Sequence, residues 1–108
     1  MEGEEFLHAL WQQLPYLHET LTTTDGHAVE IRALGQHNQN AGPDFLNSQI
    51  VIDGILWCGD VEIHQRASDW YAHGHNTDPA YNAVILHVVA VNDGVAMTEG
   101  GRSLPTLV

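Results

Sequence analysis

Hydrophobic positions along the chain change period, and each change marks an element. Between residues 4 and 14, Phe6, Leu7, Leu10, Trp11 and Leu14 recur at the one, three and four spacings of a helix face, with Glu2, Glu4 and Glu5 beside the positive end of its dipole. Pro15 stops that helix, since it has no amide hydrogen to donate. The period then falls to two. "LTTTDGHAVEIRAL" sets β-branched residues around Asp25-Gly26, and "QIVIDGILW" repeats the device around Asp53-Gly54, so two hairpins in series predict an antiparallel meander. Ser68 is a cap for a short helix from Asp69 to about His75, followed by an "NTDP" loop. From Ala83 to Val91, "AVILHVVAV" is nearly all apolar and reads as a central strand covered on both faces. Asn92-Asp93-Gly94 and Glu99-Gly100-Gly101 punctuate a final hairpin, and "SLPTLV" ends the chain without a stop signal.

The expected order is helix, three strands, helix, strand, with an extra strand before the meander and a short hairpin behind. That is a mixed α/β (α+β) class: a mainly antiparallel sheet of hairpins with an N-terminal helix and a short second helix. Residues 1–108 form one domain, and the unpunctuated C-terminus suggests the N-terminal fragment of a longer protein.

Charge narrows the choice of partner. The net charge of -11 arises from 14 acidic residues against Arg32, Arg66 and Arg102, with no lysine. Sequence-independent nucleic-acid binding by this segment alone is disfavoured, because phosphate contacts come mainly from clustered Lys and Arg. Eight histidines make the real charge depend on pH near neutrality. Cys58 is the only cysteine, which excludes an intrachain disulfide and thiolate zinc cages and points to a reducing compartment. The acidic N-terminus is unlike a signal peptide, and no run approaches the roughly 18 apolar residues of a membrane span. A soluble, cytoplasmic protein without a membrane partner is expected.

The chemistry concentrates in "AGPDFLNSQIVIDGILWCGDVEIHQR", residues 41–66. Along its second strand Val61 and Ile63 fall on one face while Asp60, Glu62, His64 and Arg66 fall on the other. Hard divalent ions such as magnesium take one or two carboxylates and complete their shell with water, and can then activate water for attack on a phosphoryl group. Register decides whether Asp44 joins that face. A two-residue turn at Asp53-Gly54 sets Asp44 opposite Ile63, on the wrong face; one extra residue in the second strand sets it opposite His64. Gly59 is the expected place for that bulge, so an irregularity near Gly59 or Asp60 is predicted. The plain alternative is that the alternating charge is the solvated face of a half-covered sheet.

Other candidates surround this stretch. Asp69 and His73 share a helix face, whereas His73 and His75 point apart unless the segment is extended. Hydrogen-bonded histidines fixing the "HGHNTDPAY" loop are the simpler reading. His87, mid-strand among apolar residues, is a satisfied core histidine or a ring presented to the Glu62 and His64 face. Trp57, Trp70 and Tyr81 are core or rim aromatics. Arg66 pairs with a carboxylate of the acidic face or contacts a substrate phosphate.

The motifs "LTTTDG", "NAGPDF", "GDVEIH", "SDWYAHGHNTDPAYNAVILHVV" and "LPTL" together resemble the N-terminal part of the domain of unknown function 2851 family of bacterial proteins, over nearly the whole chain. Members of that family are longer, which implies a missing C-terminal region as a natural partner. The element order, with Pro-Asp before one strand and Glu-x-His in the next, also resembles the PD-(D/E)XK nuclease-like superfamily. That resemblance implies a metal-dependent phosphodiesterase acting on nucleic acid, in which Asp44 and Glu62 are the ligands of magnesium or manganese. His64 stands where the superfamily has a lysine and would orient or deprotonate water. Asp60, Asp69, His73, His75 and His87 would support it from the surrounding layer, with Arg66 on the substrate. Two other readings stay open: a non-catalytic scaffold or protein-interaction domain, and a structural zinc or nickel site built from His64, His73, His75 and Asp69.

Overall fold

The computed structural model describes residues 3–16 and 20–108. Helix α1 (Gly3–Gln13) passes into a single 3-10 turn at Leu14–Tyr16 that contains Pro15. Seven strands follow: β1 (Leu21–Thr22), β2 (Ala28–Ala33), β3 (Gln36–His37), β4 (Phe45–Ile52), β5 (Ile55–Arg66), β6 (Val84–Val91) and β7 (Thr106–Leu107). A second helix, α2 (Asp69–Ala72), and 3-10 turns at His75–Thr77 and Pro79–Tyr81 lie between β5 and β6.

All seven strands belong to one mixed sheet of order β1-β2-β4-β5-β6-β7, with β3 also paired to β4. The mixed α+β class is therefore as expected. Both Asp-Gly turns close hairpins: Gly26 takes φ 87°, and Asp53 and Gly54 take φ 53° and 79°, so that Ile52 pairs with Ile55 across a two-residue turn. Positive φ at both central positions matches the right-handed twist of the flanking strands. From β5 onward the sheet is parallel. The α2 crossover returns the chain so that β6 runs alongside β5, with Glu62 beside His87 and His64 beside Val89.

The C-terminal segment forms the expected short hairpin around Glu99-Gly100-Gly101, where the Thr98 and Leu104 amides donate to the Arg102 and Ala96 carbonyls at 3.0 and 2.9 Å, and then adds an unexpected strand. Met97 and Ser103 make one isolated antiparallel bridge, after which β7 runs parallel to β6 through His87 and Thr106. The same segment meets the far side of the sheet, through a Thr23–Leu107 bridge and a Thr24 amide to Thr106 carbonyl bond of 2.9 Å. The apolar "SLPTLV" tail is thus a sheet component rather than a loose end.

Strand β6 is buried from Val84 to Val89 because both faces are covered, as its unbroken apolar run requires. One cluster holds Trp11 of α1 with Phe45, Ile50, Val61, Ile63, Leu86 and Val88. A second holds Trp70, Tyr81, Val84, Ala96 and Leu104. Arg102 pins this second side by donating to the carbonyls of Asn82 and Val84 at 3.0 and 2.6 Å. Among the described residues no helix is long and apolar enough to cross a membrane.

Candidate metal centre

A bulge brings the two candidate carboxylates together. The ladder between β4 and β5 is regular from Ile52–Ile55 to Ser48–Gly59, then resumes at Phe45–Val61. Leu46 and Asn47 therefore face Asp60 alone, and Asn47 takes φ 60° while its amide donates to Asp60 Oδ1 at 3.1 Å. The extra residue reverses the parity of β4: Ser48, Ile50 and Ile52 are buried on one side of the bulge and Phe45 on the other. Asp44, just before β4, comes opposite Glu62.

The expected irregularity beside Asp60 exists, but the extra residue lies on β4 rather than at Gly59 on β5, and Asp44 meets Glu62 rather than His64. Asparagine supplies the left-handed conformation that the bulge needs. Gly59 serves another purpose. A Cβ there would stand 2.5 Å from the Ala83 carbonyl oxygen and 2.6 Å from Ile85 Cγ2, so its bare Cα lets β6 approach.

Asp44 and Glu62 interlock through the backbone. The Asp44 amide donates to Glu62 Oε1 at 3.0 Å, and Asp44 Oδ2 accepts from the Ile63 amide at 2.9 Å. His8 of α1, for which the sequence offers no signal, brings its Nε2 to 3.4 Å from the same Asp44 oxygen. Glu62 Oε2 lies 3.1 Å from His75 Nε2, in a hydrogen bond, and 3.1 Å from His64 Nε2, off hydrogen-bond alignment. On its other edge His64 Nδ1 meets His87 Nε2 at 2.8 Å. Glu62, His64, His75 and His87 are all buried.

The loop after α2 supplies the remaining imidazoles. The helix ends at Ala72, earlier than the expected His75, because Gly74 adopts φ 74° and starts a new 3-10 turn. That left-handed turn, not an extended segment, is what aims both His73 and His75 at His64, with ring centroids 5.0 and 5.3 Å away. His75 stacks on Tyr81 at 3.7 Å, and Trp70 closes edge-on against His75 and His87 at 5.2 and 5.3 Å. His73 is exposed at the rim. One nitrogen from each of His64, His73 and His75 falls within 4.8 Å of the others.

The remaining candidates stand outside this cluster. Asp60 braces the bulge, and Asp69 accepts from the Arg66 amide at 3.1 Å. Arg66 makes no ion pair among the described residues, so the expected pairing with the acidic face does not form. Its exposed position on β5 carries it past the buried part of that face. Ser68 occupies the N-cap position but gives its hydroxyl and amide to Asp93, at 2.7 and 2.8 Å, instead of to the helix.

The surroundings shift the two carboxyls in opposite directions. Desolvation and then the neighbouring Glu62 charge push Asp44 up to about 6. Desolvation pulls Glu62 the same way, but the contacts with His64 and His75 outweigh it and bring it down to about 2. Burial by itself depresses His64, yet Glu62 reverses this and its value is raised. Burial, followed by the charge of His64, lowers His87 to about 4. The structure therefore favours a carboxylate at Glu62, which draws His64 toward its charged form, with His87 neutral behind it.

The donor set fits a borderline transition ion better than a hard one. Magnesium prefers oxygen and keeps several waters, whereas the donors that converge on Glu62 Oε2 are the imidazole nitrogens of His64 and His75. Zinc takes imidazole nitrogen at about 2.0–2.1 Å in a tetrahedron, which sets any two donors roughly 3.3 Å apart. The 3.1 Å separations of Glu62 Oε2 from His64 Nε2 and His75 Nε2 are close to that spacing. The group of His64, His73 and His75 could hold such an ion.

No curated protein matches the chain. No solved structure matches it either, and the nuclease-like resemblance is not confirmed by a structural neighbour. The family described as protein of unknown function (DUF2851) matches residues 4–108, and the chain belongs to that family.

Proposed function

We propose that this domain binds a transition-metal ion, with zinc the best fit, through His64, His73 and His75, and that Glu62 completes the tetrahedron. The observation that carries this reading is the convergence of three imidazole nitrogens within 4.8 Å, from β5 and from the turn at Gly74. Glu62 at a ligand's spacing from two of them supports it. With four protein donors the ion would tie the loop after α2 to the centre of the sheet. With Glu62 outside, a water would take the fourth place and the site would be open for hydrolysis.

Chelator competition on the 108-residue chain tests this. One zinc is expected to bind and to survive gel filtration, and His75→Ala is expected to abolish that retention. Zinc uptake no greater in the wild type than in the His75→Ala and His73→Ala variants would remove the reading.

A second reading keeps the phosphodiesterase chemistry, and one observation favours it. The bulge at Asn47 holds Asp44 against Glu62, two carboxyls with no lysine or arginine between them, an arrangement that magnesium or manganese would relieve. Asp44 and Glu62 would then hold the ion, His64 would orient water, and Arg66 would meet a phosphate of a nucleic-acid strand. Manganese-dependent nicking of supercoiled DNA, lost in Glu62→Gln, is the result that would carry it. The net charge of -11 weighs against unaided nucleic-acid binding.

A further inference from the structure

We propose that His87 is the positioning residue of this centre: it holds the Nδ1 edge of His64, so that Nε2 alone faces Glu62, His75 and an incoming ion. This rests on the zinc-binding reading above and names how its central ligand is aimed. An imidazole can offer an ion either nitrogen, and the bond made by the other nitrogen decides which. His64 is 1% exposed, so bulk water does not make that choice. Its Nδ1 has His87 Nε2 at 2.8 Å, whereas its Nε2 has no aligned hydrogen bond among the described residues. The nitrogen without a bond is the one that points at the donor cluster.

Apart from packing against Trp70, the His87 ring makes no polar contact among the described residues other than the one with His64. It sits mid-strand in β6, in register with Glu62, fully buried within the run Val84–Val89. Its Nδ1 is buried without a hydrogen-bond partner among the described residues. A leucine would fill this position without stranding a polar atom, so the contact with His64 is what the histidine supplies. When His64 Nε2 ligates the ion, the ring's proton resides on Nδ1 and is donated to His87 Nε2, while His87 keeps its own proton on Nδ1. The parallel pairing of β5 and β6 sets His64 and His87 as diagonal neighbours, independently of the loop that carries His73 and His75.

Two variants of the complete chain test it. His87→Gln keeps a side-chain acceptor near His64 Nδ1, and His87→Leu removes it. Nitrogen-15 NMR of the metal-free protein at alkaline pH reads which His64 nitrogen bears the proton, and chelator competition reads zinc affinity. The wild type is expected to carry the His64 proton on Nδ1. His87→Leu is expected to shift it to Nε2 and to weaken zinc binding by about 10–100-fold, while His87→Gln stays nearer the wild type than the leucine variant. Zinc bound tightly by a wild type whose His64 proton lies on Nε2 overturns the role of His87 alone, as does undiminished affinity in His87→Leu. Wild-type protein that takes up no zinc overturns the metal reading and this role together.

Discussion

Asp44 and Glu62 lie eighteen residues apart in the chain and share reciprocal contacts across β4 and β5: the Asp44 amide reaches Glu62 Oε1 at 3.0 Å, and the amide next to Glu62, that of Ile63, reaches Asp44 Oδ2 at 2.9 Å. The pairing exists because Asn47 absorbs one residue of β4 in a left-handed conformation. Without that bulge Asp44 would face the opposite side of the sheet. The carboxyl end of the candidate site is therefore built by backbone register before any side chain chooses a rotamer.

Asn47→Ala is expected to cost about 1–2 kcal/mol in chemical denaturation, because a Cβ without a short polar side chain is strained at φ 60°. Asn47→Gly is expected to be close to neutral. Equal losses for the two would show that the conformation at this position is not what matters.

Gly59→Ala addresses the other neighbour of β5. The added Cβ would meet the Ala83 carbonyl oxygen at 2.5 Å, and backbone cannot move aside as a flexible side chain can. A destabilisation of roughly 1–3 kcal/mol is expected, with earlier hydrogen exchange at the β5–β6 pairing near Asp60. Denaturation midpoints and amide exchange check both parts.

The pH dependence of stability has a sign that can be stated for Asp44. Its value rises from 3.8 to about 6 on folding, so the folded state holds a proton that the unfolded state has lost over that interval. Its contribution is full below pH 4 and is lost as pH rises through about 6. Glu62 runs the other way: lowered from 4.5 to about 2, it contributes above the unfolded value and is lost as pH falls toward 2. Asp44→Asn is accordingly expected to gain on the wild type between pH 4 and 6, by about 1–2 kcal/mol after screening. Denaturant titrations across that range would show no pH-dependent difference if Asp44 were ionised throughout.

Trp70 supports the imidazoles from the second cluster, fully buried, with its indole nitrogen donating to the Met97 carbonyl at 2.8 Å. Trp70→Ala is expected to cost about 3–5 kcal/mol and to free both His75 and His87 from their common wall. Broadened ring signals for these two histidines in the variant, with His8 unchanged, would mark the effect as local.

Much of this was legible from residue order. The helix face of Phe6 to Leu14, both Asp-Gly hairpins and the doubly covered "VILHVV" strand follow from period and turn chemistry, which act over a few residues. The meeting of Asp44 with the Glu62 face was legible as a parity requirement, but its location was not, since one extra residue on either β4 or β5 restores the parity and both Asn47 and Gly59 are residue types that bulges accept. His8 was illegible because only the docking of α1 brings it near Asp44. The grouping of His64, His73 and His75 was legible as a transition-metal alternative, but not how it forms: a single helix over residues 69–75 would point His73 and His75 apart, and Gly74 breaks that helix and leaves Asp69 outside the group. The parallel return of β7 depends on long-range pairing with β6 and on the Thr23–Leu107 bridge, neither of which leaves a local pattern.

Zinc K-edge X-ray absorption on the loaded 108-residue chain tests the central claim most directly. Three imidazole nitrogens and one oxygen at about 2.0–2.2 Å are expected, with one imidazole lost in His73→Ala and another in His75→Ala. A shell of water oxygens in the wild type, unchanged in either variant, would contradict the account and leave His64, His73 and His75 as packing residues around Glu62.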